Sequence, residues 1–278
     1  MAPLTFQRRL CSDRPREIFI RNFSIVGVMV PTTLNIAALL LDIEGTTTPI
    51  DFVYKVLFPF ARDHVADFLA VHSSDDDVQD AIKALVSEHD GDVSRGLNPP
   101  VLDSRSIDLS LASIVRYFHW LMDQDRKSTP LKSLQGRIWE EGYRIGELHS
   151  LVFEDVPAAF ASWHTSGKRI YIYSSGSVLA QKLLFANTEA GDLTRFIEGY
   201  FDTNIGRKME RQSYERIAAA IGLDPSRVVF VSDVTAELDA AIGADMRAIL
   251  CIRPGNRPQQ NTERYPTAGS LSDLTLDA

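Results

Sequence analysis

The sequence predicts an α/β protein with a three-layer, Rossmann-like parallel-sheet core and an inserted all-helical cap domain. Three observations support this class. Several short apolar runs end abruptly in polar residues, as strands buried on both faces of a parallel sheet do. Helical and strand-like patterns alternate over the second half of the chain, which favours a sheet covered by helices. Between the first apolar run and that half, the spacing is helical alone, which indicates an insertion.

The first strand is predicted over residues 36–41, the apolar run Ile-Ala-Ala-Leu-Leu-Leu. Asp42 follows directly, and Glu44 and Gly45 come after it. Ligands of open α/β sheets gather at the carboxyl ends of strands, so the two acids are candidate site residues. The alternative is a strand that ends in an ordinary acidic turn, because Asp and Gly are common turn residues.

The stretch after this strand has helical spacing and no convincing strand. Its predicted helices run from Asp51 to Val71 with a break at Pro59, from Val78 to Glu88, from Ile107 to Asp125 and from Leu131 to Gly146, with a loop over 89–104. A helical insert can close over a site and exclude water, so a cap is the functional interpretation. A helical extension without a catalytic role is the alternative.

The second half alternates between helices and strands. Strands are predicted over 169–173, 200–202, 227–232 and 247–252, and helices over 157–166, 178–185, 213–221 and 236–242. Beyond about residue 256 the chain is polar and loop-like, with at most a short helix. These patterns divide the chain into an extension expected to be poorly ordered (1–35), an α/β core (36–52 and 154–256), a helical cap (53–153) and a C-terminal tail (257–278).

Polar residues follow the later strands as well. Ser174 and Ser175 begin a hydroxyl-rich turn before a helix, which suits either a phosphate cradle or an ordinary helix cap. Lys208 precedes another helix, where a cation is mildly unfavourable unless an anion lies nearby. Asp233 ends the apolar run Val-Val-Phe-Val-Ser. Alone, each of these signals is weak.

Together these residues predict a phosphoryl-transfer site, because the ends of parallel strands meet at one edge of a sheet. Carboxylates and hydroxyls are oxygen ligands that suit Mg²⁺ shared with a substrate phosphate. Asp42 could attack phosphorus as a nucleophile, and Glu44 could protonate the leaving oxygen and later activate water. Lys208 could neutralise charge on the phosphoryl oxygens.

The ordered set Asp42-Ile-Glu44-Gly45-Thr46, Ser174, Lys208 and Asp233 resembles the four motifs of the haloacid-dehalogenase-like superfamily. Longer strings resemble one family within it, the enolase-phosphatases of methionine salvage. They are Leu41-Asp-Ile-Glu-Gly-Thr-Thr-Thr-Pro-Ile50, Tyr171-Ile-Tyr-Ser-Ser-Gly-Ser-Val178 with Ala180-Gln-Lys-Leu-Leu-Phe185, Phe201-Asp-Thr203 with Gly206, Asp125-Arg-Lys127 with Leu134-Gln-Gly136, and Arg253-Pro-Gly-Asn256. The likeness covers residues 36–256, and most superfamily phosphatases carry Asp in place of Glu44.

The resemblance implies enolisation and then dephosphorylation of 5-methylthio-2,3-dioxopentyl phosphate, giving acireductone and phosphate. It implies one Mg²⁺ held by Asp42, Glu44 and Asp233, with Glu44 acting through its side chain or its backbone carbonyl. It implies substrate contacts from Ser174, Ser175 and Lys208. Glu44 and Lys208 are both candidates for the enolisation base. The rival interpretations are a sugar-phosphate phosphatase or phosphomutase of other specificity, and a non-catalytic binding protein.

Composition limits the partners. The chain of 278 residues has a formal net charge of −8, which disfavours nucleic acid and anionic membranes. No apolar run approaches the roughly 20 residues of a membrane span. The resemblance implies a monomer, and a cytoplasmic location is expected, with the nucleus as a second location. The Arg-rich residues 1–35 contain acids that a transit peptide avoids, so mitochondrial targeting is disfavoured but left open.

Overall fold

The computed structural model describes residues 36–103 and 106–274, except for the side chains of 107–109. The predicted extension over 1–35 and the end of the predicted tail therefore lie outside the described residues. The described residues form a six-stranded sheet with strand order β3-β2-β1-β4-β5-β6, in which every pairing is parallel. The strands are β1 (Ala38–Leu41), β2 (Arg169–Tyr173), β3 (Ile197–Phe201), β4 (Val228–Ser232), β5 (Arg247–Cys251) and β6 (Thr267–Ala268).

Alternation along the central strand β1 creates two apolar layers, because successive side chains point to opposite faces of a sheet. Leu39 and Leu41 pack into the cluster that contains α6 (Val156–Thr165) and α7 (Val178–Ala186). Ala38 and Leu40 pack into a second cluster with α8 (Arg211–Ile221) and α9 (Thr235–Gly243). Helices therefore cover both faces of the sheet, which confirms the predicted three-layer α/β class.

The insertion between β1 and β2 is helical. Its elements are α1 (Ile50–Phe52), a π-helical segment (Val53–Leu57), α2 (Phe58–His72), α3 (Asp76–Ser94), α4 (Ile107–Asp123) and α5 (Thr129–Ile145). Helices α2 to α5 pack on one another, and α5 also packs on α7 of the sheet layer. That contact joins the helical insert to the core. Among the described helices, none is long and apolar enough to cross a membrane.

The predicted break at Pro59 is wrong, because the helix continues through it. The π-helical segment ends with a bond from the Phe58 N–H to the Val53 carbonyl, one residue before the proline. Pro59 therefore lies in the first turn of α2, where a missing N–H does no harm. The indole N–H of Trp139 in α5 donates to the Leu57 carbonyl at 2.8 Å, which ties this segment to the neighbouring helix.

The predicted end of the second helix at Glu88 is also wrong, since α3 continues to Ser94 through Gly91. Glycine costs a helix about 1 kcal/mol relative to alanine, so tertiary contacts must offset it. Asp92, in the last turns of α3, is fully buried and accepts hydrogen bonds from the Tyr117 hydroxyl at 2.7 Å and from Arg126 at 3.1 Å. Both partners lie far from Asp92 in the sequence, so the local sequence pattern does not reveal these contacts.

The region after residue 256 contains a sixth strand where the pattern predicts loop. β6 pairs in parallel with β5, and Tyr265 and Leu271 are buried beside it. A strand of two residues carries too few positions for a period of two to be visible. We propose the same division into an α/β core and a helical cap. The core is extended to include β6 and the residues beside it.

A buried ion pair joins the loop after β5 to the start of α6. Arg253 binds Asp155 through two contacts of 2.9 Å, and their side chains are 5% and 16% exposed. The guanidinium also donates to the carbonyls of Thr46 at 3.2 Å and Gly269 at 3.1 Å. Asp155 accepts from the Ser270 hydroxyl at 2.8 Å as well. This ion pair thus holds together three segments: the loop after β1, the start of α6 and the loop after β6.

We expect Asp155→Asn to lower the free energy of unfolding by about 2 kcal/mol at pH 7, the scale of hydrogen bonds to charged groups. Burial raises the pKa of Asp155, but Arg253, Ser270 and the Leu271 N–H outweigh it and lower the pKa overall. The ionised form is therefore favoured on folding. Its stabilising effect is complete above the unfolded-state pKa of about 3.9 and is lost as pH falls through the lower folded-state pKa. Urea unfolding of both proteins from pH 7 to pH 3 should show the difference shrinking in acid; a difference independent of pH would contradict this account.

Candidate active site

The ends of β2, β1 and β4 meet at one edge of the sheet because the three strands pair in matching register. Leu41 is level with Ile172 on one side and Val231 on the other. The next residues along each chain carry the polar groups. All six residues predicted for the site line a single cavity at this edge, together with Glu237: Asp42, Glu44, Ser174, Ser175, Lys208 and Asp233.

Asp42 is held in a fixed orientation at the end of β1. It is 4% exposed, and the Ile43 N–H donates to its Oδ1 at 2.7 Å. The Ser232 hydroxyl at the end of β4 donates to Oδ2 at 3.3 Å. Thr47, in the same loop, donates from its hydroxyl to the Asp42 carbonyl at 3.1 Å. A carboxylate fixed in this way at the cavity wall suits a nucleophile.

Lys208 lies between two carboxylates. Its Nζ is 2.6 Å from Asp42 Oδ1 and 2.6 Å from Glu237 Oε2, and its side chain is 9% exposed. The Tyr214 hydroxyl fixes the backbone by donating to the Lys208 carbonyl at 2.7 Å. Burial alone would lower the pKa of Lys208, but Asp42 and Glu237 raise it above its ordinary value. Lys208 therefore stays charged and cannot readily accept a proton.

Glu237 is a site residue that sequence reasoning does not identify. It lies in the first turn of α9, four residues after Asp233, and accepts from the Ser232 hydroxyl at 2.9 Å. The carboxylates of Glu237 and Asp42 both pair with the ammonium of Lys208. Its only local signal is an acid near a helix N-terminus, a placement that the helix dipole favours in any protein.

Asp233 sits beneath the turn that carries Glu44. Its carboxyl is buried, and this burial together with the negative charge of Asp42 raises its pKa to about 7. Gly45 has a φ of +74°, and a Cβ there would come within 2.6 Å of Asp233 Oδ2. Asn256 donates from its side-chain nitrogen to the Gly45 carbonyl at 3.0 Å. The turn therefore requires glycine, both for its backbone conformation and for the close approach of this acid.

Glu44 lies at the junction of two cavities. It lines the acidic cavity described above and a second cavity between the insert and the core, and Ser174 and Ser175 also line both. Burial raises the pKa of Glu44, as does the charge of Asp42, while Lys208 and Lys127 oppose the rise. A carboxyl with a raised pKa can both donate and accept a proton near neutral pH.

The turn after β2 lines both cavities with Ser174 and Ser175. Ser174 is 4% exposed, and its Oγ accepts from the Gly176 N–H at 3.1 Å. Ser177 caps α7 by accepting from the Ala180 N–H at 3.3 Å. Ser175, between them, lines both cavities. This is the strand–turn–helix arrangement that binds phosphate.

The second cavity has both polar and apolar lining groups. Its wall includes the polar side chains of Lys127, Lys132 and Gln135 from the insert. Its apolar lining includes Val53, Leu57, Phe58, Met122, Leu131, Trp139 and Leu184. Sequence reasoning assigns no role to the polar residues of the insert, although two of them lie in strings that resemble the enolase-phosphatases.

Within the described residues, no group of three or more His, Cys, Asp or Glu side chains is arranged to hold a metal ion. The carboxylates of Asp42 and Asp233 nevertheless line one cavity with Glu44. All three are oxygen donors, and oxygen donors suit Mg²⁺. The residues at this edge therefore have the chemistry that Mg²⁺ requires. Fewer than three of the described carboxylates converge on one point.

Comparison with known proteins agrees with this geometry. A family model described as haloacid dehalogenase-like hydrolase matches residues 36–245. The enolase-phosphatase E1 of Synechococcus elongatus is 51% identical over 227 residues, which are 82% of this chain and 93% of that protein. The crystal structure of the UTR4 protein from Saccharomyces cerevisiae has a TM-score of 0.69 and 35% identity, covering 86% of this chain and 100% of its own.

Plant relatives are longer. A probable bifunctional methylthioribulose-1-phosphate dehydratase/enolase-phosphatase E1 of Vitis vinifera is 46% identical over 242 residues, which are 85% of this chain but 46% of that protein. The match to the cyanobacterial protein, in contrast, covers 82% of this chain and 93% of that protein. The chain belongs to the haloacid dehalogenase-like hydrolases and, within them, to the family of the enolase-phosphatases E1.

Proposed function

We propose that the protein is an Mg²⁺-dependent enolase-phosphatase of methionine salvage that converts 5-methylthio-2,3-dioxopentyl phosphate to acireductone and phosphate. The observation that carries this proposal is the position of Glu44, which lines both the acidic cavity and the second cavity with its many apolar lining residues. A phosphate bound near Lys208 and Ser174 would leave the rest of such a substrate in the second cavity. The names of the close relatives support the same activity.

For the phosphatase step, Asp42 is the proposed nucleophile. Its oxygen attacks phosphorus, the bond from phosphorus to the enol oxygen breaks, and an aspartyl phosphate forms. Glu44 protonates the leaving oxygen and then takes a proton from the water that hydrolyses the aspartyl phosphate. Lys208 and the N–H groups of the Ser174–Ser177 turn hold the phosphoryl oxygens as charge develops on them.

For the enolisation step, Glu44 is favoured over Lys208 as the base. The ammonium of Lys208 already binds two carboxylates at 2.6 Å, so it has no lone pair to offer. Glu44 lines the second cavity, where the carbon chain of the substrate would lie. Its raised pKa suits a group that must accept and return protons.

The proposed metal site uses the carboxylates of Asp42 and Asp233 with Glu44. Two buried acids at this edge repel each other, and a cation between them would relieve that repulsion. Bound Mg²⁺ would neutralise charge on the phosphoryl group. We propose that Glu44 contributes its backbone carbonyl, because three carboxylates do not converge on one point in the described residues. Its side chain is then available for proton transfer.

Comparing substrates tests this function. The kcat/KM for the diketo phosphate should exceed that for simple sugar phosphates by at least about 100-fold, because only the diketone can use both cavities. Acireductone formation is followed by its absorbance and phosphate by a colorimetric assay. Removal of Mg²⁺ with a chelator should abolish phosphate release. A clear preference for simple sugar phosphates would instead favour a general sugar-phosphate phosphatase or a phosphomutase.

The remaining expectations on partners and location follow from this function. A small phosphorylated diketone is the proposed partner, with neither nucleic acid nor membrane, and the formal net charge of −8 supports that choice. We also propose a monomer that acts in the cytoplasm, with the nucleus as a second location. The question of mitochondrial targeting concerns residues 1–35, which lie outside the described part of the chain.

A further inference from the structure

Two polar side chains on α5 line the second cavity and take no part in the chemistry above. Lys132 and Gln135 are three residues apart, so they lie on the same face of the helix, and both line the cavity with Glu44 and Ser175. Both come from the insert, whereas the residues assigned to phosphoryl transfer come from the core. They are therefore polar groups that the insert adds to a cavity shared with the core.

Gln135 has unmet hydrogen-bonding capacity. Its side chain is 5% exposed, yet its amide makes no hydrogen bond to any residue that the structure describes. Gln135 lines the cavity, so its amide can hydrogen-bond to a molecule bound there. An amide that lines a cavity and lacks protein partners is most simply explained by a ligand or by water that occupies the cavity.

Lys132 is similarly short of partners. It is half-buried, and its Nζ lies 3.3 Å from the Thr203 hydroxyl across the boundary between insert and core. Within the described residues it forms no ion pair with a carboxylate. Burial lowers the pKa of Lys132, and the nearby charge of Lys127 lowers it further, while Asp202 opposes the shift. An ammonium in this setting is a good proton donor.

Close packing at Gly136, the residue after Gln135 in α5, fixes the position of these two side chains. A Cβ at Gly136 would lie 3.2 Å from the Leu179 side chain and 3.8 Å from the Ser177 hydroxyl. Helix α5 therefore rests directly on the start of α7, next to the Ser174–Ser177 turn. Lys132 and Gln135 are held at a set depth above that turn.

We propose that Lys132 and Gln135 bind the two adjacent carbonyl oxygens of the substrate and that Lys132 is a catalytic residue of the enolisation. This inference rests on the proposed function and adds a specificity determinant to it. The cavity is lined by the turn after β2, by Glu44, by these two hydrogen-bond donors of the insert and by apolar side chains. This combination of groups matches a substrate class consisting of a phosphate, a 1,2-dicarbonyl and an apolar tail.

The enolisation step balances with these groups. A proton leaves C1 for the carboxylate of Glu44, and the electron pair of the C–H bond becomes the C1=C2 double bond. The π pair of the C2 carbonyl moves onto its oxygen, which takes a proton from the ammonium of Lys132. Lys132 regains a proton from water before the next turnover. Gln135 donates to the C3 carbonyl oxygen, which keeps the two carbonyl groups in a fixed orientation.

The test compares two substrates, the diketo phosphate and p-nitrophenyl phosphate, which has no carbonyl group. Lys132→Met should lower the ratio of their kcat/KM values roughly 100-fold, the effect of losing one oxyanion donor. Gln135→Leu should lower it roughly tenfold, mainly through KM. Lys132→Arg, which keeps the charge, should recover part of the loss. The exposed Lys83→Met, on the outer part of α3, is the matched control and should leave the ratio unchanged.

Hydrogen exchange at C1 isolates the enolisation. A non-hydrolysable phosphonate analogue of the diketone is incubated with enzyme in D₂O, and loss of the C1 proton signal is followed by NMR. Lys132→Met should slow exchange by a similar factor. An equal loss on both phosphate substrates, or unchanged exchange, would overturn the inference. A wild-type protein that cleaves p-nitrophenyl phosphate but neither exchanges nor dephosphorylates the diketone would overturn the proposed function and the inference with it.

Discussion

Asp42→Asn is expected to abolish phosphate release, with kcat falling roughly 10⁵-fold, the scale seen when a covalent nucleophile is removed. An amide cannot attack phosphorus, so no aspartyl phosphate forms. The substitution keeps the size of the side chain, and Lys208 retains Glu237 as a partner at 2.6 Å. The fold should therefore persist, and the loss should reflect chemistry.

The same variant separates the two proposed steps. Enolisation depends on Glu44 and Lys132, so Asp42→Asn should convert the diketo phosphate to its enolised phosphate and stop there. NMR of the reaction mixture distinguishes the two phosphates, and circular dichroism checks the fold. Asp80→Asn, on the exposed surface of α3, is the control and should behave like the wild type. Phosphate release that survives in Asp42→Asn would refute the assignment of the nucleophile.

The core part of this site could be predicted because its signals are local. An apolar run followed by a polar residue predicts a buried strand end, and parallel pairing then brings Asp42, Ser174 and Asp233 to one edge. The order and register of the strands place these three residues at that edge. Glu237 has no comparable signal, since an acid in the first turn of a helix is common everywhere.

The contribution of the insert could not be predicted, because it depends on how helices pack. Lys132 and Gln135 stand in an ordinary amphipathic helix, and only the contact of α5 with α7 places them over the core. The same reason explains the errors at Pro59 and Gly91. In both cases a helix expected to stop continues, and a contact with a distant residue lies next to the break: Trp139 donates to Leu57 near Pro59, and Tyr117 donates to Asp92 beside Gly91.

Lys208→Met should impair both stability and activity. The substitution leaves Asp42 and Glu237 facing each other without the cation between them. Breaking a buried ion pair by removing one partner costs about 3–5 kcal/mol, so the free energy of unfolding in urea should fall by that order. Lys55→Met removes an exposed partner of Asp51 and is the control, with an expected change of less than about 1 kcal/mol.

A double variant distinguishes the two roles of this lysine. Lys208→Met combined with Glu237→Gln removes one of the two carboxylates that the loss of Lys208 leaves without a cation. The double variant should therefore recover much of the lost stability. It should not recover activity, because the positive charge that holds the phosphoryl oxygens is still missing; kcat/KM should stay roughly 10³-fold below wild type. If the double variant regains both stability and turnover, Lys208 acts only as a counterion for Asp42. If it regains stability alone, the ammonium is required for the reaction itself.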